Sequence, residues 1–244
     1  MYNFSNEEVI YNIWPEDTYL RSHTTPGNPY GISSTVNPYH PYKGQQMFVP
    51  SFRPMEHHHR QTDCITQREV ELMRNERSLW EEHVAWTRMA IISLIFKLPD
   101  VDFVLARLLK NAADMGEMFR PLYGETAANT YATLIKEHLL VAADLVKAAL
   151  AGDAAAANAA ERKWYANADK IAVFLNSINP YLPKEEVKKM FYRHLDLTKQ
   201  EAVSMIKGDY QKDIAIYDEI EKQAREMADT ISDAMIKLYP DLQR

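Results

Sequence analysis

Only three histidines follow residue 65, and each of them, His83, His138 and His194, falls on the apolar stripe of a different predicted helix. An imidazole among Leu, Ile and Trp side chains needs a hydrogen-bond partner, a paired charge or a metal, because an unsatisfied buried polar group costs roughly 1 to 3 kcal/mol. A rise of about 1.5 Å per residue puts the three on one level. His83 lies fourteen residues before the end of its helix and His138 thirteen after the start of the next; Asn167 is central in the third, and His194 is ten residues into the fourth. A helical bundle binds metal through inward side chains at one height. Three neutral imidazoles suit zinc, nickel or iron and leave positions open for water or substrate. The pattern predicts one transition metal held by His83, His138 and His194.

A carboxylate would complete such a site. Glu201, seven residues beyond His194 and on its face, and Glu221, displaced by roughly 6 Å from the layer, are the candidates for fourth ligand or base, with Asp169 and Asp218 behind them. Glu82 and Glu137 adjoin two of the histidines, but neighbouring helical residues point in different directions and these belong outside the ligand set. The residues three before each histidine are Trp80, Ile135 and Phe191, not the glutamates of a di-iron Glu-x-x-His motif, which favours a mononuclear centre. Bound metal would activate water or polarise a substrate; no residue narrows the reaction further. The competing expectation makes the histidines satisfied core residues of a non-enzymatic structural or interaction protein.

The elements that must position these residues begin near residue 66. Apolar side chains recur at helical spacing over roughly 66–97, 125–150, 154–178, 184–207 and 212–238, with shorter pieces near 101–110 and 112–119. Pro99-Asp100, Gly124, Ala151-Gly152-Asp153, Asn179 to Pro183 and Gly208-Asp209 punctuate them. Short links make neighbours antiparallel, so the expected fold is an all-α, up-and-down bundle of about five long helices. Ahead of it, residues 1–65 hold seven of the twelve prolines and six of the fourteen tyrosines without periodicity, an irregular arm of a kind suited to draping over a protein partner. Within the arm, His57-His58-His59 reads as a solvated polar run.

Composition limits the partners. A net charge of -6 and no basic stripe argue against nucleic acid and anionic membranes. The apolar run at 89–96 is too short to span a bilayer. Cys64 is the only cysteine, and the N-terminus has acidic residues where an export signal needs basic ones, so a cytoplasmic protein is expected, with a homo-oligomer left open.

The strings LWEEHVAWTRMAII (79–92), IKEHLLVAADLVKAA (135–149), WYANADKIAVFL (164–175), INPY (178–181) and YDEIEKQAREMAD (217–229) resemble an uncharacterised all-helical family of spore-forming bacteria. The resemblance covers about 66–238 and implies a bacterial source, a helical fold and a spore-associated alternative to the cytoplasm. Members often carry the label acetylglutamate kinase, an activity that needs strands and glycine-rich phosphate loops. The four glycines of the body, Gly116, Gly124, Gly152 and Gly208, are scattered and form no such loop.

Overall fold

The computed structural model describes residues 65–243. The arm expected at 1–65, with Cys64 and the His57–His59 run, lies outside the described residues except for Ile65. Five helices follow: α1 (Gln67–Ile95), α2 (Val101–Leu150), α3 (Ala154–Ile178), α4 (Lys184–Ile206) and α5 (Tyr210–Leu238), then a single 3-10 turn, Pro240–Gln243. Among the described residues there is no strand, and the all-α bundle is as expected. No helix among them is long and apolar enough to cross a membrane.

The short pieces expected near 101–110 and 112–119 are instead one continuous run. It extends to Gly124, whose φ of 81° and ψ of 175° break α2 into segments 101–123 and 125–150. That conformation is nearly confined to glycine, and it folds the second segment back along the first. The two segments cross closely at Gly116, where an added Cβ would stand 2.6 Å from Ala132 Cβ and 2.7 Å from the Ala128 carbonyl oxygen.

Three helix ends share one turn. In each, the residue two past the helix takes a left-handed conformation, at Lys97 (φ 52°), Gly152 (φ 71°) and Gly208 (φ 75°). The next amide bonds back to a carbonyl five residues earlier: Leu98 to Ser93 at 2.9 Å, Asp153 to Ala148 at 3.0 Å and Asp209 to Ser204 at 2.9 Å. This closure satisfies carbonyls that a helix end leaves open. In the second and third turns the aspartate then caps the next helix, accepting from the amides of Ala156 and Lys212. Lys97 carries a Cβ where the other two turns have none. Lys97→Gly is therefore expected to stabilise the fold by up to about 1 kcal/mol, while Gly152→Ala and Gly208→Ala each cost about that much. Thermal denaturation of the three single variants checks the sign of each.

These turns mark three helical hairpins of one design: α1 with 101–123, 125–150 with α3, and α4 with α5. Their buried positions correspond at offsets of 55 or 56 residues. Trp80, Ile135 and Phe191 match on the first helices; Ala112, Ala168 and Ala224, then Met115, Ile171 and Met227, match on the second. The second helix of each hairpin packs on the first helix of the next, and α5 packs along α1 to close the ring. The closing end is tied down at Thr66, which caps α1 through a reciprocal exchange with Glu69 and donates its hydroxyl to the Leu242 carbonyl at 2.7 Å.

Candidate functional site

Each hairpin carries the same polar device. His83 Nδ1 lies 3.1 Å from Asn111 Oδ1, His138 Nδ1 3.0 Å from Asn167 Oδ1, and His194 Nδ1 3.2 Å from Gln223 Oε1. The amide nitrogen of the same Asn or Gln then reaches back to the carbonyl one turn before the histidine: Asn111 to Leu79 at 3.0 Å, Asn167 to Leu134 at 3.1 Å, Gln223 to Met190 at 3.1 Å. A backbone carbonyl only accepts, so the end of the amide that faces it is the NH₂ group. The other end is the oxygen, which also only accepts, and so Nδ1 of all three imidazoles carries the proton.

The three rings do form the predicted layer. Their centroids are 5.8 Å apart for His83 and His194 and 6.3 Å for His138 and His194, and all three residues are only 2 % exposed. Trp80 stands 5.4 Å from His83 and 6.1 Å from His194, and Phe191 packs edge-on to His138. Burial in this setting disfavours the imidazolium. It drives His83 down to about 3 and His194 to about 4, and it holds His138 well below the ordinary histidine value, with the neighbouring imidazoles lowering His83 and His138 further.

The metal centre expected from the sequence is not there. Among the described residues no group of three His, Cys, Asp or Glu side chains could hold a metal ion. The reason lies in the hydrogen bonds. With Nδ1 protonated, each imidazole has only the Nε2 lone pair to offer, and that of His138 is taken by the Trp164 indole N–H at 3.1 Å. Two nitrogens remain, and no carboxylate joins them. Glu201 is buried, but it is bound to Arg88 at 2.5 Å, and the same guanidinium grips both oxygens of Asp213 at 2.8 and 2.9 Å. Glu221 sits at the surface, 3.8 Å from Arg225. Asp169 accepts from the Tyr192 hydroxyl and pairs with Lys188; Asp218 is exposed. Glu82 and Glu137 pair with Arg107 and Lys170 away from the layer.

Asn111 and Gln223 escaped the sequence reading, although the signal was present. Each histidine is followed after 28 or 29 residues by an amide side chain and then alanine: Asn111-Ala112, Asn167-Ala168, Gln223-Ala224. A search for internal repeats would have aligned all three hairpins on that spacing. Asn167→Ala is expected to destabilise the protein by about 1 to 3 kcal/mol, because it leaves the buried His138 N–H without its acceptor and removes the second bond to the Leu134 carbonyl. Urea titration of the variant measures it.

A second buried group was also missed. Glu76, two turns before His83, occupies the position that corresponds to Tyr131 and Val187 in the other hairpins. Its Oε1, the Trp80 Nε1 and the Tyr131 hydroxyl are buried without hydrogen-bond partners. Burial pushes the Glu76 carboxyl up to about 8, only weakly opposed by the nearby Trp80 N–H, and raises the Tyr131 phenol well above its usual range.

Comparison of the chain with models of known protein families, with curated proteins and with solved structures finds no match.

Proposed function

We propose that the chain is a non-enzymatic structural or interaction protein, with the triplicated helical body as a rigid scaffold and the Tyr- and Pro-rich segment 1–65 as the element that engages a protein partner. The observation that carries this reading is that the three imidazoles, the body's best candidates for chemistry, are sealed from solvent and each bonded to an amide of its own hairpin. An acid-base residue must reach its substrate and titrate near the working pH. These three do neither. The resemblance to a helical family of spore-forming bacteria supports a spore-associated setting for the scaffold.

The test separates arm from body. Fluorescent fusions of the full chain and of a chain lacking residues 1–60 are followed in a sporulating bacterium, with the unfolding of both proteins measured in vitro. The expected outcome is equal stability of the two, with only the full chain concentrating at the developing spore. Identical distributions would remove the arm as the functional element and this reading with it.

A further inference from the structure

The three hairpins are joined by two links of different kinds. Between the second and third, Pro180 and Pro183 bar a continuous helix. Asn179 locks that turn: its amide nitrogen donates to the Tyr123 hydroxyl and the Ala234 carbonyl, each at 2.9 Å, and its oxygen accepts from the Tyr181 amide at 2.9 Å. Between the first and second hairpins stands one residue, Gly124. It is exposed, as are Glu125 and Thr126 after it. Arg120 reaches across the break to Glu125 at 3.5 Å and to Asn129 at 3.4 Å, surface contacts of a kind that contribute little. Helical φ and ψ at Gly124 alone would run 101–123 straight into 125–150, one helix of 50 residues and about 75 Å. The register suits a second copy. Gly116 lies eight residues before Gly124, and Ala132, which it meets in the folded-back form, lies eight after. Two such long helices laid antiparallel about a twofold axis through Gly124 would therefore bring Gly116 of each copy against Ala132 of the other, with every pairing between 101–123 and 125–150 kept.

We infer that the chain pairs with a second copy of itself by exchanging the first hairpin at Gly124. Each body of the dimer then consists of residues 65–123 of one copy and 125–243 of the other, with its histidine layer complete. Exchange of an identical element makes no foreign contact, and so it is a low-cost route to a dimer. Gly124 sets the balance between the two forms. A Cβ added there meets nothing within 4 Å, so Gly124→Ala acts through the backbone alone. Alanine is strained at φ 81° and favoured in a helix, which shifts each hinge toward the extended form by roughly tenfold or more. A dimer contains two hinges, and its association constant should rise by about a hundredfold or more. This pairing needs neither the arm nor another protein, so its failure and that of the scaffold reading are distinct results.

Gel filtration with light scattering, over a concentration series, compares the full chain with Gly124→Ala after refolding from urea. The variant should be dimeric at concentrations where the wild type is monomeric. A flexible Gly- and Ser-rich insertion after Gly124 should abolish the dimer, because a longer link folds back without strain. Cross-linking identifies the exchange. Chains carrying Cys64→Ser and Arg120→Cys are refolded together with chains carrying Cys64→Ser and Asn129→Cys, all with Gly124→Ala. A short bis-maleimide should couple position 120 of one chain to position 129 of the other. If Gly124→Ala fails to fold, the same mixture with Gly124 retained, refolded at high concentration, decides by the same coupling. A monomeric Gly124→Ala chain overturns the proposal. So does a dimer equally populated with the insertion, or a refolded mixture whose chains do not couple from 120 to 129.

Discussion

Replacing Glu76 by Gln is expected to stabilise the protein by about 3 to 5 kcal/mol at pH 8 and by almost nothing near pH 4.5. The folded carboxyl titrates at about 8 against an ordinary value of 4.5, because burial opposes its ionised form. Between those values the folded state keeps a proton that the unfolded state has released. Stability contributed by the protonated carboxyl is therefore complete below pH 4.5 and drains away as pH rises to about 8, at roughly 1.4 kcal/mol per unit. Gln fills the same space and never ionises. The Tyr131 and Tyr123 phenols, which feel the Glu76 charge, stay neutral across this range. Guanidinium titrations at pH 4.5, 6.5 and 8 measure the effect; an equal gain at every pH would show that the carboxylate is not the cause.

The histidines run the other way. Their folded pKa values lie below 6.5, so below that pH the unfolded chain binds protons that the folded chain refuses, and stability falls on acidification. Down to about pH 4.5 Glu76 offsets part of this loss, and so does Glu201, which burial raises to about 7 against the pull of Arg88. In the Glu76→Gln variant the acid limb should steepen.

The second large effect is at Arg88. Arg88→Met is expected to cost about 3 to 5 kcal/mol at pH 8, because it leaves Glu201 and Asp213, both almost wholly buried, without the guanidinium that bridges them. The loss should shrink toward pH 5, where Glu201, already raised by burial to about 7, takes up a proton. Adding Glu201→Leu and Asp213→Leu should recover most of it, since a packed apolar trio avoids the desolvation of three charges. A pH-independent loss would mean that Arg88 acts instead through its stacking on Tyr217, whose ring centroid is 4.6 Å away.

How far the sequence could be read follows from range. Helix faces are local, and so the stripes, the Gly124, Gly152 and Gly208 breaks and the common height of His83, His138 and His194 were all legible. What the layer does was not, because the deciding partners lie on other helices: Asn111, Asn167 and Gln223 settle the tautomers, and Trp164 takes the lone pair of His138. Glu201 shows the same limit. Its stripe position promised an inward carboxylate and it is inward, but Arg88, 113 residues away along the chain, pairs with it and shares the same guanidinium with Asp213. The sequence reading also split the 101–123 run at residue 111, between pieces near 101–110 and 112–119; the helix continues through Asn111, whose polar side chain turns inward to His83.

The central claim is that three neutral imidazoles, each protonated on Nδ1 and held by an amide, form a structural layer. Nitrogen-15 spectroscopy of the histidine side chains tests it directly. All three of His83, His138 and His194 should show a protonated Nδ1 and an unprotonated Nε2 at pH 7, unchanged down to about pH 5 and unaffected by added zinc. A histidine of this layer that titrates near 6.5, carries its proton on Nε2 or shifts on binding zinc would contradict the account.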